Sequence, residues 1–521
     1  MKPALGLWLG LWAGVLIALI LGALCWPLEA HTFSSAVFFG LGDMVITPHP
    51  LLGDNAFGLG DLPARNAPQD AVLALAGLVF PATWLVRVIM FGSALAAALG
   101  AALWARGSSW AQFGAITVVL WNPFVAERLV QGHWSLVAAT WCLPLLAWCA
   151  YKGQLLGVVL CMWLASLTPT GALAATVVGV LASRTWRRAG LSLGLGVLMS
   201  LPWLVPSVLR IRELPHFTNA MLQAFAPNSE AYVGTVGALV GLGGIWNAAV
   251  VPPSRQQGFA ILGLLLVALL LVAVVRTKVR VPWPLVVGGV LGFGWPLLIL
   301  AAPEAARAVM LNIPGALLLR DAQKTLMLVF PLMVFVVGAV IAKARSPKLM
   351  ALAVVLLAIG QVPDLALQTR QLAPIEYPAE LQARRDAGFG GDLGGDLLFP
   401  QASSIVHYQG RPMVDPRTKD LPMVVVGSLV VDGQEVDPPN PRFTQAVAAW
   451  EAGDKQRLAD LGIAAVVDGD NTLLISGAET QERPKVSPLG LGLTLGWLLI
   501  PPLLCVWLLI RPAGGARLKA R

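Results

Sequence analysis

The sequence predicts an all-α polytopic transmembrane bundle of about twelve crossings, with a small α/β domain inserted before the last helix. Three observations predict it. The 521 residues are 57% hydrophobic and only 12% charged, more apolar surface than soluble cores can hide. Apolar runs of roughly 17 residues or more, almost free of charge, recur along the chain, the length a helix needs to cross a hydrocarbon layer of about 30 Å. Between residues 368 and 485 the composition changes: charge rises, and short apolar runs are bounded by Gly, Pro and Asp.

The clearest runs are residues 5–26, 189–209, 258–275, 281–302, 326–342 and 489–510, with a shorter one at 349–362. The first follows a lone Lys2 and has no clear small-residue cleavage site, so it reads as a retained anchor and not a signal peptide. A long loop, residues 27–70, comes next, then a juxtamembrane helix over 71–81. Residues 154–183 read as a helical hairpin broken at Thr168-Pro169-Thr170-Gly171, too short for two full crossings and sunk among other helices. The Gly-rich residues 233–250 read as a re-entrant or interfacial element. Within 368–485, strands are expected at 396–400, 423–431 and 464–467, and helices at 442–452 and 455–461. The chain thus divides into a membrane module (1–367), a soluble domain (368–485), and a final helix with a basic tail (486–521).

Charge orients the bundle. Basic residues occupy alternate connections: Lys2, Arg106, Lys152, Arg184 with Arg187 and Arg188, Arg276 with Lys278 and Arg280, Lys343 with Arg345 and Lys348, and the tail 511–521. None of these connections holds an Asp or Glu. The positive-inside rule places them in the cytoplasm with both termini, making a multi-pass plasma-membrane protein whose soluble domain is external. This also accounts for the net charge of +8 without nucleic acid. All five cysteines (Cys25, Cys142, Cys149, Cys161, Cys505) fall in apolar segments, which argues against a disulfide framework and a zinc site. Every acid and every histidine then lies outside or at the outer boundary, a distribution that orientation alone also explains.

Three constellations carry candidate chemistry. The first is Asp43 in Phe39-Gly-Leu-Gly-Asp-Met-Val, followed by Asp54 and by Asp61 with Arg65. A carboxylate at an outer membrane face can act as general base toward a hydroxyl; the plainer alternative is a set of Asx-type turns. The second is Trp121-Asn-Pro-Phe-Val-Ala-Glu-Arg-Leu-Val-Gln-Gly-His-Trp134, which puts Glu127, Arg128, Gln131 and His133 at the boundary. Ionisable groups at such depth are costly unless paired or facing a polar cavity; a helix-terminal ion pair beside a Trp belt is the other reading. The third is Leu319-Arg-Asp-Ala-Gln-Lys324. Arg320 and Lys324 lie four apart on one helix face, suited to a phosphate or to snorkelling beside Asp321. Five scattered histidines show no metal-ligand spacing, Gly390-Gly-Asp-Leu-Gly-Gly-Asp396 lacks a helix to receive a phosphate, and the 19 tryptophans are mostly boundary anchors.

A single N-terminal helix, a long loop with an Asp soon after it, and many short-looped crossings resemble the GT-C superfamily of membrane glycosyltransferases. Within it, Gly-Asp-Met-Val, the Asn-Pro-Phe-Val-Ala-Glu-Arg-Leu-Val-Gln-Gly-His-Trp phrase, Leu-Arg-Asp-Ala-Gln-Lys and Val414-Asp-Pro-Arg417 resemble an actinobacterial group of poorly characterised membrane proteins. The resemblance implies a polyprenyl-phosphate sugar donor, an envelope glycan acceptor, surrounding membrane lipid, and Asp43 as base. It implies Glu127 and His133 as catalytic helpers, and Asp61, Arg65, Arg128, Arg320, Asp321 and Lys324 as substrate-binding residues. A paired acidic motif common in the superfamily is absent beside Asp43, so a divalent metal cofactor stays open. The alternatives are a transporter or flippase of a lipid-linked intermediate, and a non-catalytic scaffold for envelope assembly.

Overall fold

The computed structural model describes residues 3–211, 217–384, 394–469, 471–475 and 486–510. Lys2, most of the Gly390–Asp396 run and the basic tail 511–521 lie outside the described residues. Among the described residues, nine helices are long and apolar enough to cross a membrane: Gly6–Cys25, Ala82–Trp104, Ser109–Val130, Trp134–Lys152, Trp186–Leu209, Arg255–Thr277, Trp283–Ala301, Ala322–Lys343 and Pro488–Ile510. The bent pair Pro347–Gly360 and Leu365–Leu372 makes a tenth. The broken hairpin is present as Leu155–Ala165 and Pro169–Ala182, of 11 and 14 residues. At a rise of about 1.5 Å per residue neither covers the roughly 30 Å of a hydrocarbon core. The expected twelve is reached only by counting both hairpin helices with the bent pair.

The bundle has a clear inside. Ser109–Val130 is wholly enclosed by its neighbours, whereas Pro488–Ile510 and Arg255–Thr277 are mostly uncovered. Their outward Leu271, Val275, Leu503 and Leu509 are exposed, as lipid-facing side chains must be. The enclosed span breaks at Trp121. Asn122 caps the second half, Pro123–Val130, by accepting from the Val125 N–H at 3.0 Å, and Pro123 takes the position where its missing N–H costs nothing. The basic connections settle against aromatic rings: Arg106 on Trp148, Arg184 and Lys152 on Tyr151, Lys348 on Trp110.

At the other end, the first long loop and the C-terminal region form one structure. Strand Val37–Leu41 pairs antiparallel with Met44–Ile46 and, on its other edge, with Ile375–Glu376. Phe38 and Val45 of the loop share a core with Tyr377, Leu397, Phe399, Met413 and Met423. Beyond it, a second sheet sets Asp396–Leu398 parallel to Ile463–Asp468, which pairs antiparallel with Asn471–Leu474. Helices Pro441–Glu451 and Lys455–Asp460 cover this sheet through Phe443, Ala446, Ala449 and Leu458. The strand expected over 423–431 divides: Met423 makes one bridge to Leu397, and Leu429–Val431 forms a hairpin with Gln434–Asp437. The juxtamembrane helix is Gln69–Gly77, and residues 233–250 hold a short helix, Gly234–Val240, and a 3-10 turn, Ala248–Val250.

Ion pairs fasten the loop to the domain. Arg442 reaches Asp61 at 3.1 Å and Asp396 at 2.6 Å, while Asp61 accepts from the Val425 N–H at 3.1 Å. Arg442→Met is expected to remove charge-assisted bonds worth about 1.5–3 kcal/mol each. The measurement is amide exchange at Val425, which should accelerate relative to wild type.

Candidate functional site

The site is built where two glycine turns touch. Gly42 and Asp43 form the two-residue connection of the hairpin Val37–Ile46, with Gly42 at φ +54°, the left-handed first position that such a turn calls for. Gly132, at φ +88°, follows helix Pro123–Val130. The Asp43 N–H donates to the Gln131 carbonyl at 3.0 Å. A Cβ on Gly42 would collide with that carbonyl, and one on Gly132 with the backbone of Leu41, Asp43 and Met44. Glycine at both positions lets Asp43 and His133 meet.

His133 Nε2 lies 2.8 Å from Asp43 Oδ2. On its other side, Arg128 Nη1 donates to His133 Nδ1 at 3.0 Å and to Asp321 Oδ2 at 2.5 Å, while Nη2 donates to Asp321 Oδ1 at 2.7 Å. Lys324 Nζ is 3.7 Å from Asp321 Oδ2. Asp43, His133, Arg128, Asp321 and Lys324 therefore form one chain of contacts drawn from three segments distant in sequence. Burial pushes the Asp43 carboxyl up, but the hydrogen bond from His133, with the charge of Lys324, outweighs it and holds it below its ordinary value. Asp321 is likewise held well below the carboxylate range, because Arg128 and Lys324 overcome its burial. Burial, with Lys324 and Arg128, lowers His133 despite Asp43.

Asp43 and Lys324 face a cavity of about 2990 Å³ between the bundle, the first loop and the C-terminal region. The Asp43 side chain is 46% accessible there and that of Lys324 24%. The same walls carry Arg65, Arg320, Asp61 and Asp437, together with Leu318 and, from the span Trp186–Leu209, Trp203, Leu204 and Val208. Arg320 clamps Asp437 of the C-terminal hairpin with bonds of 2.6 and 2.9 Å and stacks over Phe225 at 4.2 Å. Arg65 approaches Asp437 at 3.5 Å but stays half exposed.

No family model, no curated protein and no solved structure matches the chain. The arrangement of the side chains is therefore what speaks for the site.

Not every candidate from the sequence faces the cavity. Arg128 has no exposed side-chain surface and stands behind His133. Glu127, equally buried, belongs to a separate cluster. It accepts from Gln323 Nε2 at 2.6 Å and the Ile245 N–H at 3.2 Å, with Arg255 Nε at 3.9 Å. Arg255 in turn meets Glu230 at 2.5 Å. This cluster ties the 228–245 segment to the bundle interior. Asp61 is on the cavity wall but engaged by Arg442. No local pattern in the sequence points to Asp437, Glu230 or Arg442; Arg255, a charge at the head of an apolar run, carries the one legible signal. Among the described residues no group of three or more His, Cys, Asp or Glu is placed to hold a metal ion.

Gly132→Ala is expected to lose about 1–3 kcal/mol from backbone strain, plus the collision described above, and to separate His133 from Asp43; a lower thermal midpoint in detergent checks this. A pH effect follows from Asp437. Burial raises its carboxyl, but Arg320 and Arg65 outweigh this and hold it below the ordinary value of 3.8. A depressed folded-state value means stabilisation present above about pH 4 and lost as pH falls through the lower folded value. Asp437→Asn should flatten the acid limb of the thermal midpoint measured from about pH 6 to pH 3.

Proposed function

We propose that this protein transfers a sugar from a polyprenyl-phosphate donor to a hydroxyl of an envelope glycan or glycolipid, on the membrane face that bears the C-terminal domain. The basic connections orient that face away from the cytoplasm. One observation carries the reading: an accessible carboxylate, Asp43, is held by His133 within the electrostatic reach of the cation Lys324, in a cavity whose walls are part polar loop and part membrane helix. Such walls suit a substrate with a charged head and an apolar tail.

In this reading Asp43 accepts the proton of the acceptor hydroxyl as its oxygen bonds to the anomeric carbon. The bond from that carbon to the donor phosphate oxygen breaks, and the phosphate leaves carrying the electron pair. Lys324 is placed to stabilise that charge, with Arg65 and Arg320 on the same wall. The low value of Asp43 keeps it ionised and ready to accept.

The test is transfer from radiolabelled polyprenyl-phosphate sugars by purified protein, wild type against Asp43→Asn. Loss of a general base should reduce transfer about 10²- to 10⁴-fold, with the thermal midpoint unchanged. No transfer from any donor, with envelope glycans unaltered in a deletion strain, sinks the reading; donor movement across the membrane without transfer would favour the transport alternative.

A further inference from the structure

We infer that His133 is a fixed hydrogen-bond donor to Asp43, locked in one tautomer by Arg128, which leaves Asp43 as the terminal proton acceptor of the site. The assignment of a base rests on the function proposed above; the tautomer does not.

A guanidinium has only donors and does not lose its proton in a protein. Arg128 Nη1, 3.0 Å from His133 Nδ1, must therefore donate, and Nδ1 must accept with its lone pair. A neutral imidazole whose Nδ1 accepts carries its proton on Nε2. That N–H faces Asp43 Oδ2 at 2.8 Å, where an ionised carboxylate can only accept. Each bond dictates the next.

Protonating His133 would set an N–H against the Arg128 N–H and add a positive charge beside Arg128 and Lys324. The charge of Asp321 acts on the ring from behind Arg128, to which both its oxygens are bonded, and it offers no acceptor to an Nδ1–H that faces Arg128. The groups facing the ring are thus Asp43 on one side, and Arg128, backed by Asp321, with Lys324 on the other. Burial and the two cations push the imidazole down, in agreement with the geometry. A proton arriving on Asp43 has no vacant nitrogen to move to, because Nε2 already bears a proton and Nδ1 is occupied. It leaves through the cavity, where the Asp43 side chain is 46% accessible. Arg128, fully enclosed, is then a positioning residue and touches no phosphate. His133 aims the carboxylate.

The test is NMR of the full-length wild-type protein with its histidine rings labelled with ¹⁵N. The chain has five histidines, and the resonances lost in His133→Gln identify His133. The expected spectrum shows a bare Nδ1 and a protonated Nε2 that persist across roughly pH 5 to 8, where an ordinary histidine changes charge. An imidazolium near neutral pH, or a proton on Nδ1, overturns the inference. This readout needs no substrate, so it stands or falls apart from the transfer assay. Where transfer is measured, His133→Gln keeps an N–H donor of similar reach and is expected to lose about tenfold, against about a hundredfold for His133→Ala. Equal losses in two variants of equal thermal midpoint would mean that the ring nitrogen itself takes the proton, and would overturn it too.

Discussion

The pair formed by Arg128 and Asp321 is the constraint on which the site depends. Both are almost without exposed surface, and a charge left alone at that depth would be costly. Breaking such a pair typically costs about 3–5 kcal/mol, although the intact pair adds little over an apolar one. Its value is in placement. The two parallel bonds hold the end of helix Pro123–Val130 against the segment that leads into Ala322–Lys343. Arg128 then presents its spare donor to His133, and the ring is set before any ligand arrives.

A second constraint joins this buried pair to the surface. The hairpin that carries Asp43 is one edge of a sheet completed by Ile375–Glu376, and its Phe38 is packed among side chains of the C-terminal region. Gly42 exchanges backbone bonds with Pro412 and Val414, both near 3 Å. The position of Asp43 is thus controlled from below by the Gln131–His133 turn and from above by the domain. That domain also engages Arg320 through Asp437, so cations on the cavity wall are balanced by acids from it. The C-terminal region is part of the cavity itself, which a tethered, independent module would not be.

Much of the fold was legible from sequence, because lipid imposes a length and a polarity that show in a linear string. The apolar runs at 5–26, 189–209, 258–275, 281–302, 326–342 and 489–510 correspond to helices of the structure. The site was legible only in part. Asp43, His133 and Lys324 were singled out, and they meet at the cavity. Glu127 and Arg128 are neighbours in sequence, yet successive residues on a helix point about 100° apart. One turns to Arg255 and Glu230, the other to Asp321 and His133. Asp437 was invisible because its partner, Arg320, lies 117 positions away.

What the sequence determined by itself was a membrane bundle, its broken hairpin at Thr168-Pro169, the two helices and two parallel-paired strands of the inserted region, and the short segments where charge is concentrated. These follow from local quantities: run length, periodicity, and the residues that end a helix. Tertiary structure alone decided which of those charges face a cavity and which are consumed in holding the walls. That choice depends on pairings such as Arg128 with Asp321, 193 positions apart, and on two glycine turns approaching within hydrogen-bonding distance. The free energy of burying a charge is settled by its partner in space, which no local pattern names.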